Sequence, residues 1–244
     1  MHRKTILVTG ASRGIGRSIA VKFASEGYHV FLNCRTSVAE LTAVKDYIEN
    51  NYHTPCSIAA GDAGNAADVA RMFADIHQTC GHLDVLVNNA GISYIGLLMD
   101  MSNEDWRQVI DTNLSSVFYC CRAAIPPMIS RKSGRIINIS SMWGTSGASC
   151  EAAYSASKSG VNGLTRALAK ELAPSNIQVN AIACGVIDTE MNRQLSAEER
   201  KELEDAIPAG RYGTPDEIAR IVWDTANAPE YMTGQIIGVD GGYL

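Results

Sequence analysis

The chain has 244 residues, 46% of them hydrophobic, and its 26 acidic against 21 basic side chains leave a formal charge of -5. That length suits one α/β domain over residues 1–244 with a sizeable core. The acidic balance and scattered Lys and Arg exclude the basic footprint of nucleic-acid binding, and no apolar stretch reaches the 18 or so residues of a membrane span.

Short apolar runs alternate with longer amphipathic segments along the whole chain, a pattern that predicts a parallel sheet covered by helices. The first run, TILVT (5–9), is too short for the apolar region of a signal peptide and reads as a strand. It enters TGASRGIGRSIA, where Gly10, Gly14 and Gly16 open a helix. Glycines there allow a tight turn and close backbone approach to a pyrophosphate, and the helix start supplies N–H groups, so a dinucleotide site is expected. The second strand, YHVFLN (28–33), is followed by Cys34 where an acid binding the ribose 2′-OH of NAD would stand. Arg35 beside it, and Arg13 in the glycine loop, have no neighbouring carboxylate in the sequence and favour a 2′-phosphate, hence NADP(H) over NAD. Two solvated surface arginines are the alternative.

Further strands are predicted at CSIAA (56–60), LDVLVN (83–88), RIINIS (135–140), IQVNAIA (177–183) and QIIGVD (235–240). Seven strands imply one doubly wound sheet. Ser102 with Asp105 resembles a capping box, and Thr214-Pro215-Asp216-Glu217 supplies a cap, a first-turn proline and Glu at the third position. Residues 184–213 depart longest from the alternation and read as a mobile helical flap or a plain solvated helix.

In EAAYSASKSG (151–160), Tyr154 and Lys158 stand at i and i+4 on one helical face, among small residues that leave room beside them. Either a site or a closely packed helix fits this stretch. Seven cysteines without C-x-x-C spacing read as reduced thiols of a cytoplasmic protein. The five histidines (His2, His29, His53, His77, His82) lack zinc-ligand pairing, so no metal is expected.

TGASRGIG, NNAG at 88–91, Asn113 in TNLSS, Ser141 in NISSMWG and Tyr154-x-x-x-Lys158 together resemble the short-chain dehydrogenase/reductase family over essentially the whole chain. The resemblance implies a Rossmann-type fold of seven parallel strands with helices on both faces, assembled as a homotetramer. It implies cofactor contacts from Gly10, Ser12, Arg13, Gly14, Ile15, Gly16 and Arg35, with Asp62 and Ala63 bordering adenine. Asn89, Ala90 and Gly91 would line the cofactor, and Ile187 and Thr189 would hold the nicotinamide carboxamide. Lys158 would bind the nicotinamide ribose, Ser141 the substrate oxygen, and Asn113 a water that relays protons.

Reducing a ketone with NADPH requires hydride to carbon and a proton to oxygen, so Tyr154 is the candidate acid. Bringing a phenol of pKa about 10 to neutral pH requires about 4 kcal/mol. An ammonium about 4 Å away, from Lys158, would supply about 4 kcal/mol at an effective dielectric of about 20.

GLLMDMSNEDW, AIPAGRYGTPDEIA and YMTGQIIGVDGG are most similar to the branch containing 3-oxoacyl-acyl carrier protein reductases, which implies a carrier-bound ketone. Two positions depart from that branch. Ser175 stands where a carrier-docking arginine is frequent, leaving the pair Arg131-Lys132, and Cys184 stands where proline is usual. SSMWGTSGASCEAAYSASK also resembles reductases of the aminopentanone group on elongation factor P, through Trp143, Cys150 and Glu151. Glu151 near Tyr154 would suit an ammonium-bearing substrate, or would be an exposed glutamate in a helix's first turn. A non-catalytic NADP-binding sensor is a third reading, which the intact Asn-Ser-Tyr-Lys set opposes.

Overall fold

A computed structural model describes residues 3–192 and 195–244, except the side chain of Asn192. The expectation for His2, and Arg193 and Gln194 in the 184–213 stretch, therefore lie outside the described residues. The strands are β1 (Thr5–Val8), β2 (His29–Leu32), β3 (Cys56–Ile58), β4 (Val85–Asn88), β5 (Gly134–Ser141), β6 (Ile177–Cys184) and β7 (Ile236–Val239). They form one parallel sheet in the order β3-β2-β1-β4-β5-β6-β7. Each predicted run supplies one strand, with β5 and β6 slightly longer than expected and the other five one or two residues shorter.

The helices are α1 (Gly14–Ser25), α2 (Val38–Tyr52), α3 (Ala66–Cys80), α4 (Asn103–Ile110), α5 (Ser116–Arg131), α6 (Trp143–Ser146), α7 (Ala152–Leu172), α8 (Ala197–Ala206) and α9 (Pro215–Ala226). Alternate residues of each strand serve opposite faces of the sheet. Ile6 and Val8 of β1 pack with Phe23 of α1, Leu41 of α2 and Ile218 of α9. Leu7 between them faces the other way, with Met72 of α3, Met128 of α5 and Val161 of α7. Each fully buried Leu or Ile contributes about 1.5–3 kcal/mol, so a strand apolar at every position is stable only with both faces covered.

Local signals set several helix starts. Thr214 and Glu217 form the full reciprocal capping box at α9. Ser196 and Glu199 form another at α8, inside the 184–213 stretch. At α4 the box is incomplete: Ser102 caps the Asp105 N–H, but the Asp105 carboxylate bonds the Ser102 hydroxyl at 2.6 Å and not its N–H. Aspartate is one methylene too short to reach back as Glu does.

The sheet order reverses direction between β1 and β4, which opens a crevice at the carboxyl ends of the strands. Thr9, Asn33, Asn89, Ser141 and Cys184 all stand at or just beyond those ends.

Candidate active site

At the phosphate end, Gly10 and Gly14 have φ of 65° and 54°, in the left-handed region. A Cβ on Gly16 would come 2.2 Å from the Gly10 carbonyl oxygen and 2.5 Å from Asn89 Nδ2, so only glycine fits. The first turn of α1 has no side-chain cap and no acidic residue. Its orphan N–H groups and partial positive charge are the donor set a pyrophosphate requires. Thr9 fixes the facing loop, its Oγ1 accepting the N–H groups of Asn89 at 2.9 Å and Ala90 at 3.0 Å. Asn89 Nδ2 in turn donates to the Thr9 and Gly10 carbonyls.

The arginines are less free than the sequence suggests. Arg13 lies 3.2 Å from Glu190 and 3.7 Å from Glu40, and Arg35 lies 3.8 Å from Asp62. The expectation of guanidiniums without neighbouring carboxylates is therefore corrected. Glu40 arrives on α2 and Glu190 from beyond β6, partners that sequence distance concealed. Asp62 also accepts the Gly64 N–H at 2.8 Å, and Ala63 beside it is buried.

One cavity of about 890 Å³ runs from this loop to the helix carrying Tyr154. Its walls include Ser12, Ile15, Arg35, Asp62, Ala90, Gly91, Ser141, Trp143, Glu151, Tyr154, Lys158, Ile187 and Thr189, so the predicted residues converge on one space. Asn113 stands immediately behind it, in a π-helical turn (Asp111–Ser115) between α4 and α5. Its Oδ1 accepts the Ile92 N–H at 2.8 Å, and its Nδ2 donates to the Ile92 carbonyl at 2.9 Å and to Ser157 Oγ at 3.1 Å. With both amide protons engaged, its side chain has only acceptor capacity left for a water. A methyl group on Gly91 would lie 3.4 Å from Asn113 Oδ1 and 3.5 Å from Lys158 Nζ, which shows how closely the three groups gather.

Lys158 is buried, donates to the Ile139 carbonyl at 2.9 Å and stands 5.6 Å from the Tyr154 ring centre. Burial lowers its pKa to about 8. Tyr154 moves opposite to the sequence expectation: burial pushes its phenol above the ordinary value, against a hydrogen bond with Ser141 that lowers it. The expected lowering by Lys158 does not hold, because desolvation outweighs every charge around the phenol. Cys184 lies among these groups, and burial raises its thiol to about 12, so it stays neutral. It is the last residue of β6, and its carbonyl accepts the Met142 N–H at 2.9 Å. Cys184 is thus a packed strand residue.

Glu151 occupies the N-cap position of α7, yet its side chain caps nothing. The carboxylate turns across the cavity wall, where Ser93 Oγ donates to its Oε2 at 2.8 Å. Burial raises its pKa. A second stitch joins the same loops, Gly96 N–H to the Cys150 carbonyl at 2.8 Å, with Cys150 held at φ 62°. The alternative of an exposed first-turn glutamate is set aside by this geometry. Trp143 packs edge to face on Tyr243, centroids 5.7 Å apart.

Three contributors escaped the sequence reading. Thr9 had a signal, a hydroxyl residue directly before the glycine loop. Ser93 and Ser157 had none, because their partners Glu151 and Asn113 are 58 and 44 positions away.

A parallel sheet with a glycine-rich crevice and an adjoining Ser-Tyr-Lys group defines a nicotinamide-dependent oxidoreductase. The chain belongs to the short-chain dehydrogenase family, whose description "short chain dehydrogenase" matches residues 4–200, and it acts on ketone or alcohol groups. It is 45% identical over 240 residues to 3-oxoacyl-[acyl-carrier-protein] reductase FabG of Staphylococcus aureus, covering 98% of this chain and 97% of that protein. It is 40% identical over 243 residues to the protein of that name from Aquifex aeolicus, covering 99% and 98%. The crystal structure of a short-chain type dehydrogenase/reductase from Mycobacterium marinum superposes with a TM-score of 0.93 at 35% identity, covering 98% of this chain and 95% of that one.

Proposed function

We propose that this protein is an NADPH-dependent reductase that converts a ketone to a secondary alcohol, with Tyr154 as the acid. The observation that carries this reading is the single cavity joining the glycine loop to Ser141, Tyr154 and Lys158. When bound, the dinucleotide supplies the hydride. The α1 start, Asn89–Gly91, Ile187 and Thr189 would hold it, and Arg13 and Arg35 would receive a 2′-phosphate after exchanging their carboxylate partners.

The residues divide the remaining work. Ser141 Oγ, held by the Trp143 N–H at 3.2 Å, would donate to the substrate oxygen alongside the Tyr154 hydroxyl. A phenol whose pKa is raised is protonated at neutral pH, the state a reduction requires. Lys158, with its pKa near 8, can resupply that proton close to neutral pH, from a water held on the acceptor side of Asn113.

The names of the relatives support a 3-oxoacyl thioester on a carrier protein as substrate. Carrier docking has weak support in this chain: Ser175 is uncharged, and Arg131 turns back to the Leu83 carbonyl at 2.7 Å and Asp84 at 3.7 Å. A second reading, a ketone such as the 5-aminopentanone group on modified elongation factor P, is favoured by the turn of Glu151 into the cavity. The experiment is NADPH oxidation with an acetoacetyl thioester and, separately, with elongation factor P bearing the ketone. Turnover of one alone assigns the substrate, and turnover of no ketone at all defeats the reductase reading.

A further inference from the structure

Away from the cavity, at the amino-terminal ends of the strands, a second reactive cluster stands. Cys80, the last residue of α3, has its Sγ 3.2 Å from Nδ1 of His29 at the start of β2. The other ring nitrogen, Nε2, lies 2.9 Å from Ser57 Oγ on β3. The imidazole is fixed from its face as well, stacked on Phe31 with centroids 4.6 Å apart and planes 10° from parallel. A thiol on a base that is oriented by a third group is the arrangement that activates protein nucleophiles.

The charges around the cluster determine its resting state. Burial, then Arg3, lowers the His29 pKa, against Glu49 of α2. Burial, then Asp84, raises the Cys80 thiol, and the carboxyl end of α3 acts in the same direction. His82 Nδ1 lies 2.8 Å from the Cys80 carbonyl, and its Nε2 lies 3.2 Å from Asp84. With its pKa lowered the His29 ring rests neutral, and with its own raised the Cys80 thiol rests protonated. The S–H donates to the bare Nδ1, and Nε2–H donates to Ser57.

We propose that Cys80 is a site of reversible thiol–disulfide exchange with small disulfides, with His29 as its base. As the sulfur attacks one sulfur of R–S–S–R, its proton passes to Nδ1 and the S–S bond breaks. The departing thiolate takes that proton from the imidazolium and leaves as R–SH. Cys80 is oxidised to the mixed disulfide, the leaving sulfur is reduced, and an excess of reduced thiol reverses the step.

The other cysteines provide internal controls. Cys34, Cys56, Cys120, Cys121 and Cys184 are buried, whereas Cys150 is partly exposed, as Cys80 is. Among the described residues the hydrogen-bond neighbour of the Cys150 thiol is the Ser149 hydroxyl at 3.8 Å, and no imidazole bonds it. The test incubates the full-length protein with oxidised glutathione and follows each mixed disulfide by peptide mass spectrometry from about pH 6.5 to 8.5. Cys80 should react faster than the five buried cysteines, with a rate that levels off across the upper part of that range, where the imidazole is neutral. His29→Phe keeps a ring on Phe31 and should slow Cys80 about tenfold or more while leaving Cys150 unchanged. A Cys80 no faster than the buried thiols, or one indifferent to His29→Phe, overturns the proposal. If that variant does not fold, the pH profile decides alone: a plateau sustains it, and a continuing tenfold-per-unit rise overturns it.

Discussion

The ammonium of Lys158 is tied to the main-chain carbonyl of Ile139 at 2.9 Å, an anchor on β5 that fixes the charge beneath α7. Its pKa falls from 10.5 to about 8 because burial penalises the charged form. Below pH 8 the folded state carries that penalty in full, on the order of 3 kcal/mol. As pH rises from 8 towards 10.5 the unfolded chain binds the extra proton, so stability rises. Lys158→Met should therefore be more stable than the parent at pH 7, less the lost Ile139 bond of about 1 kcal/mol. The gap should close by about pH 10.5. Urea unfolding at the two pH values measures it, and a variant less stable at pH 7 would contradict the account.

Tyr154→Phe removes the proton donor and little else, since the ring remains. Turnover should fall about 10²- to 10⁴-fold, with NADPH affinity within about twofold. Stopped-flow turnover beside fluorescence titration of NADPH checks both, and near-normal turnover would displace Tyr154 from its role.

The carboxylates beside Arg13 and Arg35 turn cofactor choice into a competition. NADPH should bind more tightly than NADH by about 1.5 kcal/mol or more, with Arg35→Ser removing much of the difference. Glu40→Gln releases one competitor of Arg13 and should tighten NADPH about two- to fivefold while leaving NADH alone, the modest size reflecting an exposed pair. Equal use of both cofactors by the parent enzyme would sink the assignment.

Glu151 gives a prediction with a sign. Glu151→Gln should raise the Michaelis constant for an amine-bearing ketone about two- to fivefold and leave or lower it for an acyl-carrier thioester, with the contrast shrinking at high salt. The Glu151 pKa is raised, so the parent's preference should be present above that pKa and lost as pH falls through it. Identical responses of the two substrates would reduce Glu151 to a wall residue.

Periodicity made the sheet legible. Runs such as TILVT carry consecutive apolar residues at Ile6, Leu7 and Val8, and only a strand covered on both faces accommodates that. The glycine loop and the Ser141, Tyr154 and Lys158 set were legible because each depends on residues close in sequence, or on motifs in fixed order. Charge pairing was not, since Arg13 meets Glu190 only after the chain has passed β6. The direction of the Tyr154 shift was hidden for another reason. Spacing placed a cation beside the phenol but said nothing of how completely the fold removes water from it.

The chain is pinned to itself on either side of residues 188–212. Ile187 bridges Gly213, the Asp188 N–H meets the Gly213 carbonyl at 2.9 Å, and the Gly213 N–H meets the Val186 carbonyl at 2.9 Å. The excursion between these pinned ends contributes Thr189, Glu190, Met191, Leu195 and Leu203 to the cavity wall. Doubling the length of such a closed loop costs only about 0.6 kcal/mol in closure entropy. A change of length within it should therefore reshape that wall at small entropic cost, provided the Ala209 N–H keeps its bond to the Gly241 carbonyl at 3.0 Å.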